Sequence, residues 1–168
     1  MKSTFILIGT LALFATAGCK PKPEDITPLQ RKEAASLASE AQFAVALRDY
    51  ARAEPLFEKA AKLCPHDGEY WLGLGVTRRR LGNLPGAKAA YEKARSAYRN
   101  AFERNAKDSD ALLQEVYVLA LLGQVDDANG VVEKARKKDP ENPRYRSFTE
   151  NKQMDRLLAA PSFKEIAL

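Results

Sequence analysis

Small and large apolar residues alternate along the chain at helical spacing, and they do so three times. The stretches at 51–65 (ARAEPLFEKAAKLCP), 86–100 (GAKAAYEKARSAYRN) and 126–140 (DDANGVVEKARKKDP) each carry an alanine, a larger residue four positions on, and a second alanine three further. These are Ala53, Phe57 and Ala60; Ala87, Tyr91 and Ala94; Ala128, Val132 and Ala135. Offsets of four and three place the three side chains on one face of an α-helix, and the Glu-Lys pair before each second alanine lies outside it. A second run with helical periodicity precedes each stretch. The clearest holds Trp71, Leu74 and Gly75 and stops at Gly82; Gly123 takes the corresponding place in the third copy, five residues before Ala128. Asp67, Asp108 and Asn142 stand at the seams between copies, where their side chains suit helix N-caps. Thr27-Pro28-Leu29-Gln30 reads as a capping box with proline at the first helical position and predicts a helix to about Leu47. No strand is expected.

The spacing between copies predicts one long helix. Ala53 to Ala87 is 34 residues, whereas Ala87 to Ala128 is 41. Seven extra residues make about two helical turns, so the pattern stays in phase, and Tyr91 and Ala94 recur as Tyr98 and Ala101. Residues 85–106 therefore read as a single helix that overhangs its neighbours by ~10 Å. Tyr98 and Phe102 lie on its apolar face, Arg95, Arg99 and Asn100 toward the other. Met154, Leu157 and Leu158 near the end of the chain are the expected cover for the overhang. Ser162-x-x-Glu165 predicts a last short helix over 163–168.

Trp71, Leu74-Gly75, the Ala-x₃-large pattern and the prolines Pro65 and Pro140 together resemble the tetratricopeptide repeat (TPR), a helix hairpin that stacks on copies of itself. Arg78 stands where the pattern has tyrosine, and Leu37 and Leu112 replace the tryptophan in the other copies. The resemblance implies an all-α, right-handed α-solenoid of about three hairpins, over residues 34–67, 68–108 and 109–142, plus a C-terminal capping helix within 143–168. It also implies a binding scaffold whose first helices line a concave groove. That groove would present Gln42 and Val45, then Leu72, Val76, Arg79 and Arg80, then Gln114, Tyr117 and Leu121. The two arginines beside Val76 and Tyr117 would clamp a carboxylate while an apolar side chain packs next to it. The competing reading leaves both arginines solvated at the negative end of a helix dipole. If they do clamp a carboxylate, changing both to alanine would weaken partner binding without lowering thermal stability. The asparagine-rich clamp of the TPR proteins that bind chaperone tails is missing.

The amino terminus adds a location. Lys2 followed by the apolar run 5–14 is too short to span a bilayer and reads as an export signal over 1–18. Ala17-Gly18-Cys19 resembles a bacterial lipobox, which would make Cys19 a lipidated first residue, although Thr16 stands where that motif usually has a branched apolar residue. Ala15-Thr16-Ala17 fits ordinary signal peptidase instead. The proline-rich stretch 19–27 is a suitable tether and favours the lipoprotein, and Lys20 in place of Asp suggests outer-membrane sorting. Without acylation, Cys19 and Cys64 are available to pair in an oxidising periplasm.

Charge and candidate chemistry change the picture little. The net charge of +5 falls to +4 when Lys2 is removed, and the basic residues are interspersed with acidic ones, so nucleic acid is not an expected partner. His66 is the sole histidine and sits in the turn CPHDGEY; no catalytic triad and no metal-ligand spacing can be drawn with it. Paired acids at 108–110 and 126–127 lie at helix starts, where capping accounts for them. Neither an enzyme nor a cofactor is indicated. Two functions remain: an envelope adaptor that recruits a protein or peptide through the groove, and a structural module that associates with itself. An exposed Tyr98/Phe102 face would favour the second.

Overall fold

A computed structural model describes residues 26–168, and the export signal, Cys19 and most of the tether lie outside the described residues. Helices α1 (Pro28–Ala46) and α2 (Tyr50–Leu63) form the first hairpin, α3 (Gly68–Arg80) and α4 (Leu84–Arg104) the second, and α5 (Ser109–Leu121) and α6 (Val125–Lys138) the third. Each helix packs on the one before it, and α1 also touches α3, so the first helices of successive hairpins share a layer. Among the described residues there is no strand.

The helix starts follow from local chemistry. Thr27 Oγ1 accepts from the Gln30 amide at 3.2 Å and Gln30 Oε1 accepts from the Thr27 amide at 2.8 Å, closing the capping box that begins α1. Asp67 and Asp108 cap α3 and α5, and Asn142 caps the helix that begins at Pro143, with their side-chain oxygens. The tight turns inside the second and third hairpins need a left-handed residue, supplied by Gly82 (φ +79°) and Gly123 (φ +74°). The first hairpin makes the same turn with Arg48 at φ 60°, a conformation that costs a side-chain-bearing residue about 1 kcal/mol.

The core is the alternation of alanine with larger rings. Ala34, Ala38, Ala41 and Ala44 of α1 are buried, as are Ala53, Phe57 and Ala60 of α2. Tyr91 is fully buried because α3 offers it a gap. A Cβ at Gly75 would lie 2.4 Å from Cδ1 and Cε1 of Tyr91, so only glycine admits the ring. Gly68 makes the same concession to Tyr98, whose Cε1 would lie 2.6 Å from an added Cβ. Trp71 is held by its Nε1, which donates to the Pro65 carbonyl at 3.0 Å, and by Lys93, whose Nζ sits 4.2 Å from the ring centroid.

Three expectations are corrected. The overhang of α4 is not covered by the end of the chain: Tyr98 is buried against α3, and its hydroxyl donates to Glu69 Oε1 at 2.7 Å. On the other flank Arg99 reaches the buried Glu115 of α5 at 2.7 Å, so the insert is tied down from both sides. Met154 instead lies near Val132 and Phe148, and Leu157 near Leu72 and Tyr117. Second, the capping segment holds three short helices where the sequence predicts a capping helix and one last short helix: α7 (Pro143–Glu150), α8 (Gln153–Ala159) and α9 (Pro161–Lys164). The chain reverses at Lys152, which adopts φ 48°, so α7 and α8 make a shortened hairpin of their own. Third, the last helix begins at Pro161, with no side-chain cap from Ser162, and Glu165 is engaged elsewhere.

Candidate protein-binding groove

The layer formed by α3 and α5 carries most of the residues the sequence pointed to, and the chain's own last segment lies on them. Arg79 Nε donates to the Ala167 carbonyl at 2.8 Å. Arg80 Nη1 stands 2.5 Å from Glu165 Oε2. The Leu168 amide donates to the Leu121 carbonyl at 2.9 Å, an acceptor at the end of α5. Phe163, buried, meets Tyr117 edge to face with ring centroids 5.8 Å apart. Val76, half-buried, packs against the same core.

Leu72, Gln114 and Tyr117 also line a cleft of about 550 Å³ beside this segment, completed by Leu113, Phe148 and Leu157. Gln42 and Val45 stand apart on α1, the first exposed and the second half-buried, and neither lines that cleft. Arg79, half-buried, holds the Ala167 carbonyl, whereas Arg80 is exposed and pairs with the exposed Glu165.

Tyr91 is the groove residue that sequence reasoning assigned only to hairpin packing. Passing beside Gly75, its ring brings the hydroxyl to the Ile166 carbonyl, to which it donates at 2.7 Å. Burial above all pushes its ionisation well above the ordinary value near 10, and nearby Tyr117 adds to this against the opposing pull of Arg79 and Arg80. Burial likewise raises Tyr117. Tyr91 is therefore a permanent donor at neutral pH. The apolar spacing of Phe163 and Ile166, three apart, was the available signal for the occupant.

A second cleft, of about 600 Å³, opens at the seam edge between Arg31, His66, Asp67, Glu69, Tyr98 and Arg104. Its walls mix both signs of charge. Cys64 also lines it, but burial raises that thiol's ionisation and leaves it a poor nucleophile. What distinguishes the groove of α3 and α5 is that it is already seen holding polypeptide: two donors for carbonyls, one acceptor for an amide, a guanidinium for a carboxylate and a ring for a ring.

Two sequence profiles described as tetratricopeptide repeat match residues 39–97 and 90–151, so together they run from the middle of α1 through α7. The chain belongs to the tetratricopeptide repeat family. No curated protein matches it. Tetratricopeptide repeats generally mediate protein–protein interaction, and proteins built from them are typically scaffolds without enzymatic activity. In this TPR chain α3 and α5 carry the surface on which residues 163–168 lie.

Proposed function

We propose that this TPR protein is an adaptor of the bacterial cell envelope, exported by residues 1–18, anchored through lipid on Cys19, and recruiting a protein or peptide partner through the groove of α3 and α5. The observation that carries the reading is the seating of residues 163–168 in that groove: the surface binds polypeptide by main chain, carboxylate and aromatic ring at once. The lipobox-like Ala17-Gly18-Cys19 and the proline-rich tether support the envelope setting, and Lys20 supports the outer membrane. Burial of Tyr98 speaks for an adaptor over a module that stacks through its overhang.

Two measurements test it. Mass spectrometry of the mature amino terminus should find Cys19 carrying acyl chains; an unmodified Gly18 terminus would refute the anchor. A photo-crosslinking residue in place of Gln114, in cells, should capture one envelope protein, and Arg80→Glu should abolish the adduct. Adducts that ignore Arg80→Glu would refute the groove.

The alternative, self-association, has one observation in its favour. Leu29 and Phe43 of α1 and its C-cap residue Leu47 are 74%, 61% and 63% exposed among the described residues, an unusual apolar load for one helix and its cap. Light scattering of wild type against a Phe43→Lys/Leu47→Lys variant decides it: a dimer lost in the variant would establish that face as a contact between copies.

A further inference from the structure

We propose that residues 161–168 are an internal ligand that masks the groove, and that the partner is a polypeptide of the same pattern, an aromatic side chain with a carboxylate two positions on and a branched aliphatic next to it, which docks by displacing them. The inference rests on the groove being the recognition face, and it specifies what that face accepts.

The contacts divide into those any polypeptide makes and those that discriminate. Arg79 and Tyr91 each hold a main-chain carbonyl, and the Leu121 carbonyl takes a main-chain amide. Such groups are blind to side-chain identity, as in other main-chain-directed peptide recognition. Identity is read at two points: Phe163 against Tyr117, and Glu165 against Arg80. Ile166, half-buried against the core, adds the aliphatic position. Together these contacts write the pattern of the partner.

The segment is held as an appendage. Helix α9 is a single turn with no side-chain cap, and it follows Ala160 in extended conformation (φ −66°, ψ 126°). One turn has no helical stability of its own in water, so its order derives from the groove. Release thus requires the loss of the groove contacts and of those with α8, a local opening that leaves the stack of α1 to α6 intact. The tether at residue 160 gives the segment a high effective concentration, and a partner in trans must outbind it. The adjoining cleft beside Leu72, Leu113 and Gln114 supplies the means, since a longer segment gains contacts there that 161–168 do not make. Masking by a weaker internal copy lowers the apparent affinity for poor partners and keeps an apolar groove from non-specific association.

A fluorescein-labelled peptide of the chain's own sequence, PSFKEIAL, is titrated against the purified full chain and its Phe163→Ala/Glu165→Arg variant, with a scrambled peptide as baseline. Fluorescence anisotropy should show at least tenfold tighter binding to the variant than to wild type, and adding Arg80→Glu should remove the gain. Equal binding to both chains, or none to a variant of unchanged helicity, overturns the proposal. Should the variant lose helicity, hydrogen exchange on wild type decides: amides of 161–168 should exchange at least tenfold faster than those of α3 and α5. Exchange of the segment only together with those helices overturns it. A wild-type dimer dissolved by the peptide would make the occupant a second copy and overturn a separate partner. The two readings separate cleanly: failure here with a Gln114 adduct intact leaves the adaptor standing without displacement, and success here without any adduct removes the adaptor alone.

Discussion

Arg78, Arg79 and Arg80 follow one another on α3, and a rotation of about 100° per residue sends them to three places. Arg78, standing where the family pattern has tyrosine, turns back to α2 and meets Glu54 at 2.8 Å and Glu58 at 3.5 Å. Arg79 takes a main-chain carbonyl and Arg80 a carboxylate, both from the 165–167 segment. Beneath them Tyr91 titrates later in the folded chain than in the unfolded one, since its ionisation is raised. Its contribution to stability is therefore complete below pH ~10 and is lost as pH rises beyond, by about 1.4 kcal/mol per pH unit for each such group. Tyr91→Phe should cost about 1 kcal/mol at neutral pH through the lost bond to Ile166. It should also flatten the alkaline fall of stability by the share of one proton, leaving those of Tyr98, Tyr117 and Tyr70, whose ionisations burial also raises. Urea titrations from pH 8 to 11 would check both; an unchanged slope would show that Tyr91 ionises without hindrance.

At the scale of the element, α4 shows how two extra turns are kept. Its 21 residues extend the alanine face through Ala97, buried, and Tyr98. The opposite flank is bound by charge: Arg99 lies 2.7 Å and Arg95 3.7 Å from Glu115, which is buried on α5, and Arg95 also donates to Gln124 at 3.2 Å. The two partners are unequal, because the arginines reach water and the carboxylate does not. Arg95→Ala/Arg99→Ala strands a buried charge and should cost about 3 kcal/mol. Glu115→Gln leaves two cations that reach water except at the buried Arg95 Nε, and it should cost roughly 1 kcal/mol. Chemical denaturation of the two variants orders them; equal costs would mean that Glu115 is not desolvated by α4.

For the whole molecule, the described stack has a groove on α3 and α5 and its own chain lying in it. Deleting residues 161–168 should therefore uncover Tyr117, Val76 and Leu121, not Tyr98. Burial of a side chain such as Phe163 contributes ~1.5–3 kcal/mol, and ordering eight residues opposes it, so the melting temperature should drop by only a few degrees. Helicity from α1 to α6 should persist, and binding of an apolar dye should rise. A collapse of the whole fold on this deletion would make the segment part of the core. Scanning calorimetry and dye fluorescence report on the two outcomes.

Periodicity alone determined the helices and their pairing. Ala53–Phe57–Ala60 and its two echoes specify a buried face, the capping residues at the seams specify where helices begin, and a seven-residue excess specifies a longer α4, because each is a local property of a chain with 3.6 residues per turn. The sequence also pointed to Arg79, Arg80 and Tyr117 and to the carboxylate and apolar group they suit. What it did not carry was the occupant. Arg79 and Ala167 are 88 positions apart, and Tyr91 and Ile166 75. No period links such residues; they meet only because the stack sets α3, α4 and α5 side by side and the reversal at Lys152 turns the chain back across them. The same reasoning misplaced Leu157 on the overhang, since an apolar residue on a short helix is equally suited to any uncovered apolar surface. Which surface it covers is decided by the route of the backbone, and that is a property of the tertiary structure.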